Sequence, residues 1–208
     1  GRAWPPTSRA SRNPSPQNPM GLLLAARDPG KNILNIARHC QYGSFDKNPK
    51  WEYAYWSHKR FAPEIIDSVS AVIDLGKKNA QANKLELIGF SGGGAVAVLV
   101  SARRSDVSRI RTVAGNLDHK IWTQHHKVDV LRGSLNAADV AKQIADIPQV
   151  HYVGGMDEIM GRYVAESFRS KAGRDACIKI ETIAGATHSK GWDQVWSDLI
   201  AEAIPDCL

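Results

Sequence analysis

The stretch LELIGFSGGGAVAVLV, Leu85 to Val100, decides how the chain is read. Leu85 to Phe90 reads as a buried strand, and the small apolar residues from Gly93 to about Arg104 read as a helix. Between them Ser91 sits in Gly89-Phe90-Ser91-Gly92-Gly93, a G-x-S-x-G pattern. A serine on a tight strand-to-helix turn has its hydroxyl raised above the sheet, which is the context a nucleophile elbow requires. The glycines two residues to either side are expected to avoid collision with the neighbouring strand and helix. A Gly-rich turn can also cradle phosphate at a helix N-terminus. This one matches neither G-x-G-x-x-G nor G-x-x-x-x-G-K-[ST].

A serine hydroxyl is a weak nucleophile near neutral pH, so it needs a histidine base, and the histidine needs an acid to fix its tautomer. Both partners are on offer further along the chain. In VHYVGGMDEIM a strand ends at Val153, turns through Gly154-Gly155 and delivers Asp157. In IETIAGATHSKGW the last strand ends at Ile183, turns through Gly185 and delivers His188. The candidate catalytic residues are therefore Ser91, Asp157 and His188. Asp118, in AGNLDHKIW after the strand that ends near Ala114, is the alternative acid, with Glu158 behind it.

The rest of the pattern explains why these loops converge. Pro63 opens an amphipathic helix with Ile65, Ile66, Val69, Val72, Ile73 and Leu75 on one face. Strands follow at Leu85–Phe90, Arg109–Ala114, Gln149–Val153 and Cys177–Ile183, separated by helices near Gly93–Arg104, Ala137–Asp146 and Ile159–Lys171 and closed by Trp192–Ala203. Such alternation predicts an α/β fold: a doubly wound, mostly parallel open sheet with helices on both faces. Active sites in these sheets lie beyond the carboxyl ends of the strands. Upstream, five prolines in residues 1–19 make that segment a loop. Met20–Arg27 suits a short helix and Asn32–Arg38 a buried strand. Gln41–Lys59 is irregular and aromatic, with Trp51, Tyr53, Tyr55 and Trp56 either lining a pocket or packing the loop to the body.

Composition narrows the function classes. At 208 residues with 43% hydrophobic content, residues 1–208 are expected to fold as one domain with a substantial core. The formal net charge is +6. Its densest basic group, Arg103, Arg104, Arg109 and Arg111, carries no aromatic-interleaved signature of nucleic-acid binding and is expected to be a solvated face. The three cysteines, Cys40, Cys177 and Cys207, lack CxxC spacing and allow at most one disulfide within the chain. His119, His125 and His126 do not match HExxH, so no metal is expected. Trp122 and Asp129 in that segment suggest an insertion near a pocket mouth. No apolar run reaches the roughly 18–20 residues that span a bilayer, and no signal-peptide pattern opens the sequence.

On the elbow and its two partners the chain resembles the α/β-hydrolase superfamily, from the loop at Gly1 to the helix ending near Ala203. The strings GRAW, IARHCQY, YWSHKRFAPE, VAGNLDH, RGSLN and VGGMDE resemble a little-characterised bacterial branch of it. Members begin with further strands, and the resemblance implies that Gly1 falls where the oxyanion loop should be, so the chain looks truncated in front. The resemblance further implies that the Gly92 N–H is one oxyanion donor and that the second comes from the loop at or just before Gly1 to Ala3, including Arg2.

The expected activity is transfer of an acyl group to water, with an ester as the default substrate and thioesters and amides open to the same residues. A small-molecule acyl substrate and no cofactor are implied. The alternative is a catalytically silent hydrolase-fold binding or scaffold protein. Localisation is left open: cytoplasmic by default, periplasmic or secreted if a leader precedes Gly1.

Overall fold

A computed structural model of the chain describes residues 13–43, 52–204 and 207. Its centre is a parallel sheet of four strands in the order β1 (Leu85–Phe90), β2 (Val107–Val113), β3 (Gln149–Gly154), β4 (Ile178–Ile183). Because spatial order equals chain order and crossovers are right-handed, the connecting elements stack on one face. These are α3 (Gly92–Ser101), a 3₁₀ helix (Ala137–Ile144) and α5 (Arg162–Ala172), with α2 (Pro63–Ala80) packed on α3. α1 (Met20–Ala25) and α6 (Trp192–Ala201) pack on each other across the opposite face.

Neighbouring residues of β3 show the two faces directly. His151 meets Phe168 of α5 edge-on at 5.2 Å, whereas Tyr152 meets Trp196 of α6 and its hydroxyl donates to Leu199 O at 2.8 Å. Successive strand side chains point to opposite faces, so both layers are anchored on consecutive positions. The core gathers Ile66, Val98, Val100, Ile110, Val113, Val164, Phe168, Trp192 and Trp196, all essentially without solvent contact.

Several expectations shift. Residues 33–38 run as coil rather than strand, with Ile33 45% and Leu34 52% exposed. Among the described residues β1 pairs with β2 alone and its other edge faces a groove, so the segment lacks a ladder. Leu34 leans on α2 instead, over Gly76. Strand character without a hydrogen-bonding partner does not make a strand.

The segment left unassigned after Asp118 forms α4 (His119–His126), with Asp118 as its N-cap accepting from the Lys120 N–H at 3.2 Å. The basic group is solvated only in part: Arg103 and Arg109 are exposed, Arg104 and Arg111 are not. Arg104 is bound between Asp74 and Asp106, and Arg111 is buried against Glu86 and donates to Glu202 O at 2.8 Å. Cys177 and Cys207 form a disulfide, and Cys40 is a free, buried thiol that burial pushes up to about 11. In the aromatic segment Trp56 is buried and Tyr53 exposed, while Trp51 lies outside the described residues. Among the described residues no helix is long and apolar enough to cross a membrane.

Candidate active site

At the carboxyl end of β1 the chain turns at Ser91 with φ 51° and ψ −119°, a conformation that L-residues avoid. Three backbone bonds hold it there. Ser91 N–H donates to Val113 O at 2.9 Å, and Ser91 O accepts from Gly94 at 2.9 Å and Asn116 at 3.0 Å. A Cβ on Gly89 would stand 2.3 Å from Gly93 O, and one on Gly94 would stand 2.9 Å from the Gly115 Cα. At Gly93 a Cβ would meet nothing within 4 Å. The crowding expected at Gly93 therefore falls at Gly94, because α3 begins at Gly92 and its third residue is the one turned onto β2.

The acid and histidine loops are built as a pair. Gly155 N–H donates to Ile183 O at 2.8 Å and Met156 N–H to Ala186 O at 3.0 Å. Past this junction Asp157 Oδ1 accepts from the Ile159 and Met160 N–H groups, each at 2.8 Å. That leaves Oδ2 for His188 Nδ1, at 2.9 Å. His188 Nε2 in turn lies 3.1 Å from Ser91 Oγ. Burial by itself would raise the Asp157 carboxyl, but His188 and the two amides outweigh it and hold the group below the ordinary carboxylate range. An ionised carboxylate only accepts, so Nδ1 carries the imidazole proton and Nε2 is free to accept from the serine.

Surrounding side chains fix the two loops. Trp192, fully buried at the start of α6, donates from Nε1 to Thr187 O at 2.8 Å, and the Phe90 ring packs 5.4 Å from the His188 ring. Trp122 of α4 donates to Ile159 O at 2.7 Å, and His126 Nε2 lies 2.9 Å from the same oxygen. α4 thus buttresses the loop that carries Asp157. The His125 ring lies tilted against Tyr163 at 4.5 Å, and His119 stacks on Phe61 at 6.2 Å. Among the described residues no group of three or more His, Cys, Asp or Glu is placed to hold a metal.

Asp118 is not brought to His188. Its carboxylate is fully buried and accepts from Asn136 Nδ2 at 3.0 Å, Ser167 Oγ at 2.8 Å and Lys171 Nζ at 2.9 Å, which ties α4 to α5. Glu158 is exposed. The Gly92 N–H, at the first position of α3, donates to no acceptor among the described residues. Gly1 and Arg2 lie outside the described residues.

Two residues that the sequence reading passed over stand beside the elbow. A Cβ on Gly92 would meet Arg38 Nη1 at 2.7 Å and Phe61 Cε1 at 3.5 Å. Arg38 ends an apolar run and Phe61 precedes a helix, so nothing in their local pattern distinguishes them. Only the return of both segments to one turn does.

No protein-family model matches the chain, and no curated protein matches it. Solved structures do. An esterase from Pyrococcus furiosus superposes with a TM-score of 0.55 at 13% identity, over 73% of this chain and 62% of the esterase. A second crystal form of it gives 0.51 at 14% identity, over 67% and 60%. A puromycin hydrolase gives 0.56 at 15% identity, over 71% of this chain and 25% of that one. The likeness at these identities is one of fold: the chain has the α/β-hydrolase type of fold. It spans less than two thirds of the esterase's length.

Proposed function

We propose that the chain is a single hydrolase domain of the serine type, acting on an ester through Ser91, His188 and Asp157. The observation that carries this reading is the unbroken relay from Ser91 Oγ through His188 to Asp157, at 3.1 and 2.9 Å. Its members come from three loops at the carboxyl ends of β1, β4 and β3, where open α/β sheets hold their sites.

Ser91 Oγ attacks the ester carbonyl while its proton passes to His188 Nε2. The carbonyl oxygen becomes the oxyanion and takes a hydrogen bond from the Gly92 N–H, aided by the partial positive charge at the start of α3. Collapse of the tetrahedral adduct breaks the ester C–O bond, and His188 returns its proton to the departing alkoxide. Water, deprotonated by the same nitrogen, then cleaves the acyl-enzyme and restores Ser91. Asp157 stays ionised throughout and stabilises the imidazolium. An ester is the default because it demands the least help to its leaving group; thioesters and amides use the same groups.

The test is hydrolysis of short p-nitrophenyl esters by the wild-type chain and by Ser91→Ala. Turnover that disappears in Ser91→Ala supports the reading. Turnover that survives in Ser91→Ala, or its absence from folded wild-type protein with every ester tried, overturns it.

A further inference from the structure

Four arginines among the described residues are not exposed: Arg38, Arg60, Arg104 and Arg111. Two are conventionally paired, Arg104 with Asp74 and Asp106, Arg111 with Glu86. The other two have no carboxylate partner among the described residues. The side chain of Arg60 donates from Nε to Ser57 O, at 2.6 Å. Arg38 Nη1 lies over Gly92, and Arg38 lines the same groove as Ser91 and Gly92. Phe61, next in sequence to Arg60, touches the same point above Gly92. Partly buried guanidinium groups are costly unless an anion meets them. Among the described residues this pair meets no carboxylate, and Arg38 stands beside the candidate nucleophile.

We propose that Arg38, backed by Arg60, is an anion subsite for the substrate, and that the substrate is a half-ester whose acyl part carries a free carboxylate. The assignment rests on the serine-hydrolase reading. A planar guanidinium recognises a carboxylate through two parallel hydrogen bonds. The acyl side follows from the proton path: the leaving alcohol must lie at His188 Nε2, whereas Arg38 abuts Gly92, on whose N–H the carbonyl oxygen rests. Burial pushes Arg60 down to about 10, with the neighbouring charge of Arg38 adding to the effect, and burial lowers Arg38 too. An anion bound at Arg38 would offset its burial and the repulsion it exerts on Arg60.

The experiment compares p-nitrophenyl hemiglutarate with p-nitrophenyl pentanoate, which replaces the carboxylate by a methyl group. The ratio of their kcat/KM values should exceed roughly 10 in the wild-type chain at low salt, shrink as salt is added, and fall about 10- to 100-fold in Arg38→Ala and Arg38→Gln, as loss of a charge-assisted bond predicts. A smaller fall is expected in Arg60→Ala. A ratio near or below one, or an equal loss on both esters in the Arg38 variants, overturns the subsite; the second pattern would make Arg38 a donor to the oxyanion. A readout without turnover separates the two levels of the proposal. Methyl hemiglutarate binding to Ser91→Ala should be seen by calorimetry and weaken at least 10-fold when Arg38→Gln is added. Such binding with no turnover by the wild-type chain would retire the hydrolase reading and keep the anion site. Turnover of the neutral ester with no preference and no Arg38-dependent binding would do the reverse, and circular dichroism shows that each variant compared is folded.

Discussion

Gly154 and Ala186 touch so closely that a Cβ on Gly154 would stand 2.5 Å from the Ala186 carbonyl oxygen. That contact joins the loop carrying Asp157 to the loop carrying His188. Gly154→Ala must push them apart, because the clash is with backbone that cannot rotate away. Displacements near 1 Å cost about 100-fold in reactions that depend on alignment. Kinetics of Gly154→Ala on a p-nitrophenyl ester should show a kcat lower by about that factor, together with a lowered Tm.

Ser91 holds a positive φ without being glycine. Strain of this kind costs on the order of 1–3 kcal/mol. Ser91→Gly should release part of it, so denaturant unfolding is expected to show a gain of about 1 kcal/mol while turnover is lost. Unchanged or reduced stability in Ser91→Gly would mean that the turn is unstrained.

The two acids make a contrasting pair. Asp157→Asn removes the acceptor that sets the imidazole tautomer, and a loss of about 10⁴ in kcat is expected, with little change in Tm, by analogy with the same exchange in serine proteases. Asp118 faces Asn136, Ser167 and Lys171 instead. Asp118→Ala leaves those groups unpaired and should cost about 1–3 kcal/mol of stability, while kcat of the protein that remains folded stays within a few-fold.

His151 sets part of the acid sensitivity. It is fully buried on β3, its Nδ1 lies 2.9 Å from Thr112 Oγ1, and burial pushes it down to about 3. In the unfolded chain the same ring titrates near about 6.5. Its contribution to stability is complete above that value and is lost as pH falls toward 3, because the unfolded state takes up the proton first, at up to about 1.4 kcal/mol per pH unit. Denaturation midpoints measured between pH 7 and pH 4.5 should fall less steeply in His151→Gln than in the wild-type chain. Equal slopes would contradict the assignment.

How much of this could be read from the sequence depends on whether a feature is local. β1 to β4 and the helices between them follow from periodicity, since each buries its own apolar face, and the loops that present Ser91, Asp157 and His188 are marked by the glycines where those strands end. The Asn32–Arg38 segment has strand composition too, but strand formation is a property of a pair, and β1 offers it no ladder. α4 was hidden because its sequence, HKIWTQHH, has little apolar periodicity; it forms on the Asp118 cap and on the contacts of Trp122 and His126 with Ile159. Arg38 was hidden for a third reason. Its meaning lies in the absence of an acidic partner among the described residues, and no spacing rule encodes that.

The most direct test of the central claim is reaction of the folded chain with a fluorophosphonate, followed by peptide mass spectrometry. The account predicts a single adduct on the peptide containing Ser91, absent from Ser91→Ala and slowed by at least about 10³ in His188→Ala, the order of activation lost when a base is removed from such a relay. Folded protein that takes up no label, or takes it at another residue, would contradict the claim that His188 and Asp157 activate Ser91.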